Sequence, residues 1–152
     1  MNSEALYRLS FFFGIFIIMA FAEWRWPFRK LVQSKAKRWF SNLSLVVINS
    51  LMLKWIFPIT AIGFAEYVQK NEWGILNKIS LPQTLEIVIA VMALDLVIYS
   101  QHVLFHKVPL LWRLHRMHHA DIDYDVTTGT RFHPIEIIIS MMIKYSAIFI
   151  LG

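Results

Sequence analysis

The stretch that decides the fold is Thr84–His106, TLEIVIAVMALDLVIYSQHVLFH. It is long enough for a helix of about 20 residues to cross a lipid bilayer. Glu86 and Asp95 are its only acidic side chains, and no alternation of polar and apolar residues competes with a helical pattern. Because only α-helices and closed β-barrels satisfy the backbone within lipid, the stretch predicts an all-α integral membrane fold.

The composition of the whole chain agrees with a membrane protein. Its 152 residues suffice for one domain, so we expect a single membrane domain over residues 1–152. Hydrophobic residues make up 57% and charged residues 16%, against about 25% charged residues in soluble domains. The net charge of +5 is spread between apolar runs and forms no basic stripe, which argues against nucleic acid. The absence of cysteine excludes disulfides and thiolate metal sites.

Three further apolar runs extend the prediction to a helical bundle. They are Leu9–Ala22, which can be extended back to Ala5, then Trp39–Ala65 and Pro134–Leu151. Four residues interrupt the second run: Asn42, Asn49, Lys54 and Pro58. This run is therefore either one kinked span or a re-entrant pair of half-helices. The sequence predicts three to four spanning or half-spanning helices.

The first run has two interpretations. Ala20-Phe21-Ala22 resembles the cleavage site of a secretory signal peptide. The residues before the run are not basic as a signal peptide requires, because Arg8 is offset by Glu4. A basic segment follows it instead, with Arg25, Arg29, Lys30, Lys35, Lys37 and Arg38. Such a segment stays in the cytoplasm, so we expect a membrane anchor.

The distribution of charge also predicts the orientation of the chain. Residues 23–38 are strongly basic, whereas residues 66–82 carry mixed charge. Because cytoplasmic loops are enriched in lysine and arginine, residues 23–38 are expected inside and 66–82 outside. By alternation the span that begins near Thr84 returns to the cytoplasm. A multi-pass protein with a histidine cluster at its cytoplasmic face is expected.

All histidines of the chain fall between residues 102 and 136: His102, His106, His115, His118, His119 and His133. Neutral imidazole is the commonest side-chain metal ligand, and nitrogen and oxygen donors suit iron, zinc or manganese. The first five lie at spacings that bring them onto helix faces, with Pro109 ending the first helix. Five imidazoles exceed the needs of one four-coordinate ion. The pattern predicts a pair of metals or a site with further ligands. Surface histidines of an interfacial loop are the alternative, which fits one or two histidines but fits five at these spacings poorly.

Asp95 and Tyr99 share the helical stripe of His102 and His106, at spacings of four, three and four residues. An aspartate within an apolar span is costly unless it is paired. We expect Asp95 and Tyr99 to support the site, with the carboxylate accepting the distal N–H of a ligating histidine. The alternative is that they satisfy each other or a neighbouring helix.

These motifs resemble those of the fatty acid hydroxylase/sterol desaturase family. His102-x-x-x-His106 followed by His115-x-x-His118-His119 is similar to the first two histidine boxes of that family. The approach through Asp95 and Tyr99 is similar as well, and so is the later stretch Asp125–Glu136, DVTTGTRFHPIE. The resemblance is specific over roughly residues 85–140. It implies that the chain is the N-terminal part of such a domain.

The resemblance implies a membrane-bound lipid hydroxylase or desaturase, an oxidoreductase of the non-haem diiron class. Its cofactors would be two iron ions, with zinc possible in purified material, and O2 would be the co-substrate. It implies metal ligands in both boxes, at His102, His106, His115, His118 and His119. The substrate would be a lipid or sterol-like molecule oxidised at an unactivated C–H, and an electron-donating redox partner would act from the cytoplasmic side.

Two features beyond the boxes have several interpretations. His133, in the Arg-Phe-His-Pro turn, is expected as a further metal ligand, a group that orients a ligand, or a helix cap. Asp121, Asp123 and Asp125 follow the second box, and we expect them to be solvated loop carboxylates.

The family carries a third histidine box, and this chain has no histidine after His133. An alternative to the enzyme is therefore a truncated, non-catalytic membrane fragment that binds metal weakly or only with another chain. A bis-histidine haem protein is a third possibility, which the tight His-x-x-His-His cluster fits poorly.

Overall fold

The computed structural model describes the backbone of residues 3–152 and the side chains from residue 6 onward, and helices account for its regular structure. The helices are α1 (Ser3–Arg25), α2 (Lys35–Ile56), α3 (Ala61–Lys70), α4 (Gln83–Lys107), α5 (Pro109–His119) and α6 (Pro134–Leu151). Short 3-10 turns occur at Leu76–Lys78 and Thr128–Thr130. The described part contains no β-strand, which confirms the all-α prediction.

Four segments are long and apolar enough to cross a membrane: Leu6–Arg25, Lys35–Lys70, Gln83–Lys107 and Pro134–Leu151. Large apolar side chains cover their outer surfaces, as with Phe11 (71% exposed) and Met92 (67% exposed). Such surfaces are unfavourable in water and suit lipid. The predicted membrane bundle is thereby confirmed.

The second apolar run forms one kinked path. α2 ends at Ile56, Pro58 interrupts the helix, and Thr60 caps α3 by accepting a hydrogen bond from Gly63 N–H at 3.1 Å. Both pieces follow α6 in the same direction. Asn49 Nδ2 donates to the carbonyl of Phe132 before α6 begins, and Ile75 N–H donates to the carbonyl of Ile150 near its end. Because α3 continues in the direction of α2, the run is the predicted kinked span and not the re-entrant pair of half-helices.

α4 runs antiparallel to α6. Gln101 Nε2 donates to Ser140 Oγ at 2.6 Å across the two helices. The C-terminal end of α4 therefore lies beside the N-terminal end of α6. Arg38, in the first turn of α2, contacts Asp121 just after α5, so the histidine-bearing end of α4 and α5 lies on the side of the bundle where α2 and the basic segment begin.

A buried polar cluster joins this basic segment to the loop after α5. Arg38 is 3% exposed, and its Nε lies 2.7 Å from Asp121 Oδ1 while its Nη1 lies 3.0 Å from Asp125 Oδ2. Asp123 is 1% exposed and accepts hydrogen bonds from the backbone N–H groups of Val32 and Gln33. The prediction of solvated loop carboxylates is therefore wrong, because donors from the region around residues 32–38 reach all three aspartates.

The same contacts favour the ionised forms of Asp121 and Asp123. Burial on its own raises the pKa of Asp121, but hydrogen bonds from Arg38, Thr128 and Asn42 hold it below its ordinary value. The pKa of Asp123 is lowered by the backbone N–H groups of residues 32 and 33. The loop that follows the second histidine box is thus anchored by charge to the start of α2.

Candidate metal centre

The last two turns of α4 supply the first pair of histidines. His102 and His106 are four residues apart on one face, and their Nε2 atoms are 3.2 Å apart. α4 ends at Lys107, and Pro109 occupies the first turn of α5, where its missing N–H costs nothing. The predicted helix end at Pro109 is confirmed, and the tight connection folds α5 back toward α4.

α5 supplies the second pair. The Nε2 atoms of His115 and His119 are 3.3 Å apart, and His115 is only 1% exposed. The ring centroid of His106 lies 4.7 Å from that of His115 and 4.9 Å from that of His119. The ring of His102 lies 4.8 Å from His115. Four imidazoles from two helices thus form one compact cluster.

The geometry of this cluster fits a metal ion. Imidazole nitrogens bind such ions at about 2.0–2.1 Å, so two ligands of one ion lie about 2.8–3.4 Å apart for angles between octahedral and tetrahedral. Both Nε2 pairs fall within that interval. The ligating atoms of His102, His106 and His115 all lie within 4.8 Å of one another. The donor set is nitrogen-rich and free of thiolate, which suits iron or zinc.

Two rings of the cluster, His115 and His119, are also in the protonation state that a metal ion requires. Burial, with smaller effects of His102 and His106, lowers the pKa of His115 from 6.5 to about 4. Burial, followed by the charges of the other histidines, lowers the pKa of His119 as well. Both rings are therefore neutral near pH 7. A neutral imidazole has the free lone pair that a metal ion requires.

A buried carboxylate orients His115. Glu136 is 3% exposed in the first turn of α6, and its Oε1 lies 2.6 Å from His115 Nδ1. With the carboxylate ionised, Nδ1 carries the hydrogen and donates it, so the Nε2 lone pair faces the cluster. Glu136 is therefore the carboxylate that contacts a clustered histidine. Sequence reasoning quoted it only within a motif, although a lone acid in an apolar run is the signal that singled out Asp95.

His118 is held by the loop before α6. Its Nδ1 lies 3.3 Å from the carbonyl oxygen of Arg131, and its ring stacks on Phe132 with centroids 4.6 Å apart. Because a carbonyl only accepts, Nδ1 is the donor and Nε2 keeps the lone pair. Its ring centroid lies 5.1 Å from that of His119 and 5.6 Å from that of His115. His118 thus borders the cluster with its ligating atom available.

Comparison with known protein families gives one match, to the family described as fatty acid hydroxylase, over residues 87–152. Over those residues the chain is similar to the fatty acid hydroxylase family. The match contains nearly all of α4, the whole of α5 and α6, and every histidine of the chain. No curated protein and no solved structure matches the chain. The family indicates an oxidoreductase that acts on lipid in a membrane context.

Within the matched residues 87–152, His133 caps a helix. It precedes α6, and its Nδ1 accepts a hydrogen bond from Ile135 N–H at 3.2 Å. Nε2 is then its one nitrogen available to a metal. His133 also lines a cleft together with His119. Its role as a ligand stays a prediction.

Asp95 and Tyr99 lie further from the cluster along α4. Asp95 precedes His102 by about 10 Å of helix rise, and Tyr99 is 65% exposed. Among the described residues, neither forms a hydrogen bond with a histidine. Any support from Asp95 would have to pass through another group, so the role of both residues in the site stays a prediction.

Proposed function

We propose that this protein is a membrane-bound lipid hydroxylase or desaturase with a histidine-held diiron centre. Its substrate would be a lipid or sterol-like molecule oxidised by O2 at an unactivated C–H. The observation that carries the proposal is the meeting of two histidine pairs, His102 with His106 and His115 with His119. The Nε2 atoms within each pair lie at ligand-to-ligand distance, and the match to the fatty acid hydroxylase family covers all four residues.

The residues proposed to hold the metal are the five histidines of the two boxes: His102, His106, His115, His118 and His119. Five imidazoles are more than one four-coordinate ion binds, which supports a pair of ions. When bound, the iron pair supplies the redox chemistry with O2 that breaks an unactivated C–H bond.

The protein's own groups prepare the ligands. Glu136 accepts the Nδ1 hydrogen of His115, and the Arg131 carbonyl accepts that of His118. Each contact fixes the tautomer and leaves Nε2 as the ligating atom. Burial keeps His115 neutral, so no proton has to leave its ring before metal binds.

The membrane setting supports a lipid substrate and a cytoplasmic site. The histidines share one end of the bundle with the basic segment 23–38, which contacts the loop beyond α5 through Val32 and Asp123. Basic segments stay in the cytoplasm. We propose that lipid enters from the bilayer and that an electron-donating partner docks on the cytoplasmic side.

Metal analysis of the purified full chain tests the proposal. We expect two iron or zinc ions per chain, with losses in His118→Ala and His119→Ala. Lys107→Ala is the matched control, because Lys107 is exposed, directly follows His106 and is not one of the proposed metal ligands. Fewer than one ion per chain in the unsubstituted protein would overturn the claim of a diiron centre.

A second candidate is a non-catalytic chain that binds metal weakly or only with another chain. The exposure of His102, His106 and His119 favours it, because the open side of the cluster could accept donors from elsewhere. Metal content measured across protein concentration separates the two. Stoichiometry that rises with self-association supports this candidate, and constant stoichiometry in the monomer supports the enzyme.

A further inference from the structure

A cleft of about 570 Å³ lies between α5 and the start of α6. One face of α5 forms most of it, because residues three and four apart lie together on a helix. The residues that line it include Trp112, Arg113, Arg116, Met117, His119 and His133. His119 belongs both to this cleft and to the histidine cluster, so the two adjoin.

The cleft carries positive charge that the described part of the chain does not balance. Arg113 and Arg116 are exposed, and neither forms an ion pair with a described carboxylate. They are three residues apart on the same face of α5. The guanidinium fork matches the oxygens of a carboxylate or phosphate and binds them through two parallel hydrogen bonds.

His133 adds a third donor. Its Nδ1 accepts the backbone hydrogen of Ile135 at 3.2 Å, so in the neutral ring the hydrogen sits on Nε2. An Nε2–H on the cleft wall can donate to an anion. This role and the role of metal ligand exclude each other, because a ligating Nε2 carries no hydrogen.

The remaining walls are apolar. Trp112 is 37% exposed, and its ring lies 5.3 Å from that of His106 and 5.7 Å from that of His119. Met117 flanks it in the cleft, and Leu110 on the same helix is 69% exposed. Exposed apolar and aromatic side chains beside cations are typical of the membrane interface. A small hydrophilic anion would leave this surface uncovered, whereas an amphiphile covers it.

We propose that this cleft binds the anionic head of the lipid substrate, a carboxylate or a phosphate. The inference rests on the proposed function, since it makes the ligand of the cleft the molecule that is oxidised at the adjoining cluster. Arg113 and Arg116 bind the head, His133 donates to it, and Trp112 packs against the adjoining hydrocarbon.

Equilibrium binding of labelled amphiphiles tests the proposal. The full chain is placed in phosphatidylcholine nanodiscs, and binding of oleate, oleyl phosphate and oleyl alcohol is measured after subtraction of empty discs. We expect oleate or oleyl phosphate to bind at least about tenfold tighter than oleyl alcohol, the size expected for charge-assisted hydrogen bonds. Inorganic phosphate is added as a competitor and is expected to displace oleyl phosphate poorly.

Paired substitutions locate the effect. Arg113→Gln with Arg116→Gln should abolish the preference for the anion, and Arg113→Lys with Arg116→Lys should retain part of it, since lysine keeps the charge and loses the fork. Lys30→Gln with Lys37→Gln is the matched control. It removes two exposed cations from the same end of the bundle outside the cleft and should change the preference less than about twofold.

Four results would overturn the proposal. The first is a lack of anion preference in the unsubstituted protein, and the second is an anion preference that survives in the Arg→Gln pair. The third is an equal loss of the preference in the Lys→Gln pair. The fourth is competition by inorganic phosphate that is as effective as competition by unlabelled oleyl phosphate. All binding is measured on metal-free and iron-loaded protein, beside the metal content. Anion preference without any bound metal would leave the cleft intact and refute the diiron proposal, whereas bound metal without anion preference would refute the cleft alone. Loss of a metal ion in His133→Ala would refute the donor role of His133.

Discussion

His115 Nδ1 lies 2.6 Å from Glu136 Oε1, and both side chains are at most 4% exposed. The contact joins the middle of α5 to the first turn of α6. It links the position of a clustered imidazole to the packing of a membrane helix. A shift of either helix would therefore change the position of His115, one of the candidate metal ligands.

Glu136→Gln should weaken metal binding by about 10- to 100-fold, the usual effect of removing a carboxylate that supports a ligating histidine. The amide oxygen can still accept the Nδ1 hydrogen, but it lacks the charge that makes the imidazole more basic. Competition with a chelator measures the affinity for iron. Glu66→Gln, at an exposed glutamate of α3, is the control. Equal affinities in all three proteins would contradict the role of Glu136.

Arg38→Met should lower the free energy of unfolding by about 3–5 kcal/mol, because it leaves buried carboxylates without their cation. Asp121 and Asp125 would both lose their partner. The free energy of unfolding of Arg38→Lys should lie between those of the unsubstituted protein and Arg38→Met, since lysine retains the charge but cannot form two parallel hydrogen bonds. Unfolding in detergent measures the change. Lys37→Met is the control, because Lys37 is the neighbouring residue and is exposed. A similar loss of stability in Lys37→Met would contradict the role of Arg38.

The metal-free protein should lose stability as the pH falls from about 6.5 to about 4. The pKa of His115 is lowered to about 4 in the folded protein from 6.5, so in this window the unfolded chain binds a proton that the folded chain does not. The sign is that stability rises with pH, by at most about 3 kcal/mol from this residue. Melting temperature against pH should show a flatter profile for His115→Gln. Identical profiles would show that His115 contributes nothing.

Gly74→Ala should destabilise the end of the bundle opposite the histidines. Gly74 has a φ of +89°, and a Cβ there would lie 2.3 Å from the backbone nitrogen of Gly152. Strain in this region costs about 1–3 kcal/mol, and the clash adds to it. Gly129→Ala is the matched control, because no atom lies within 4 Å of its added Cβ. Thermal unfolding of both variants checks the difference, and equal melting temperatures would contradict it.

The sequence alone determined the features that depend on local periodicity. Apolar runs of spanning length predict the membrane helices, Pro109 predicts the end of α4, and spacings of three and four residues predict which histidines share a helix face. These follow from backbone geometry within one helix, so no distant contact is needed. The interruption at Pro58 was equally visible, but its outcome depended on the packing of the run along α6.

Only the tertiary structure decided which groups meet across helices. The sequence predicts support from Asp95, and the structure adds Glu136, which contacts His115 because the antiparallel packing of α4 and α6 brings the first turn of α6 to the cluster. The carboxylate of Asp121 is buried rather than solvated because Arg38, 83 residues earlier in the chain, reaches it. Pairings at such separation have no local period, so they arise only from the packing of the folded chain.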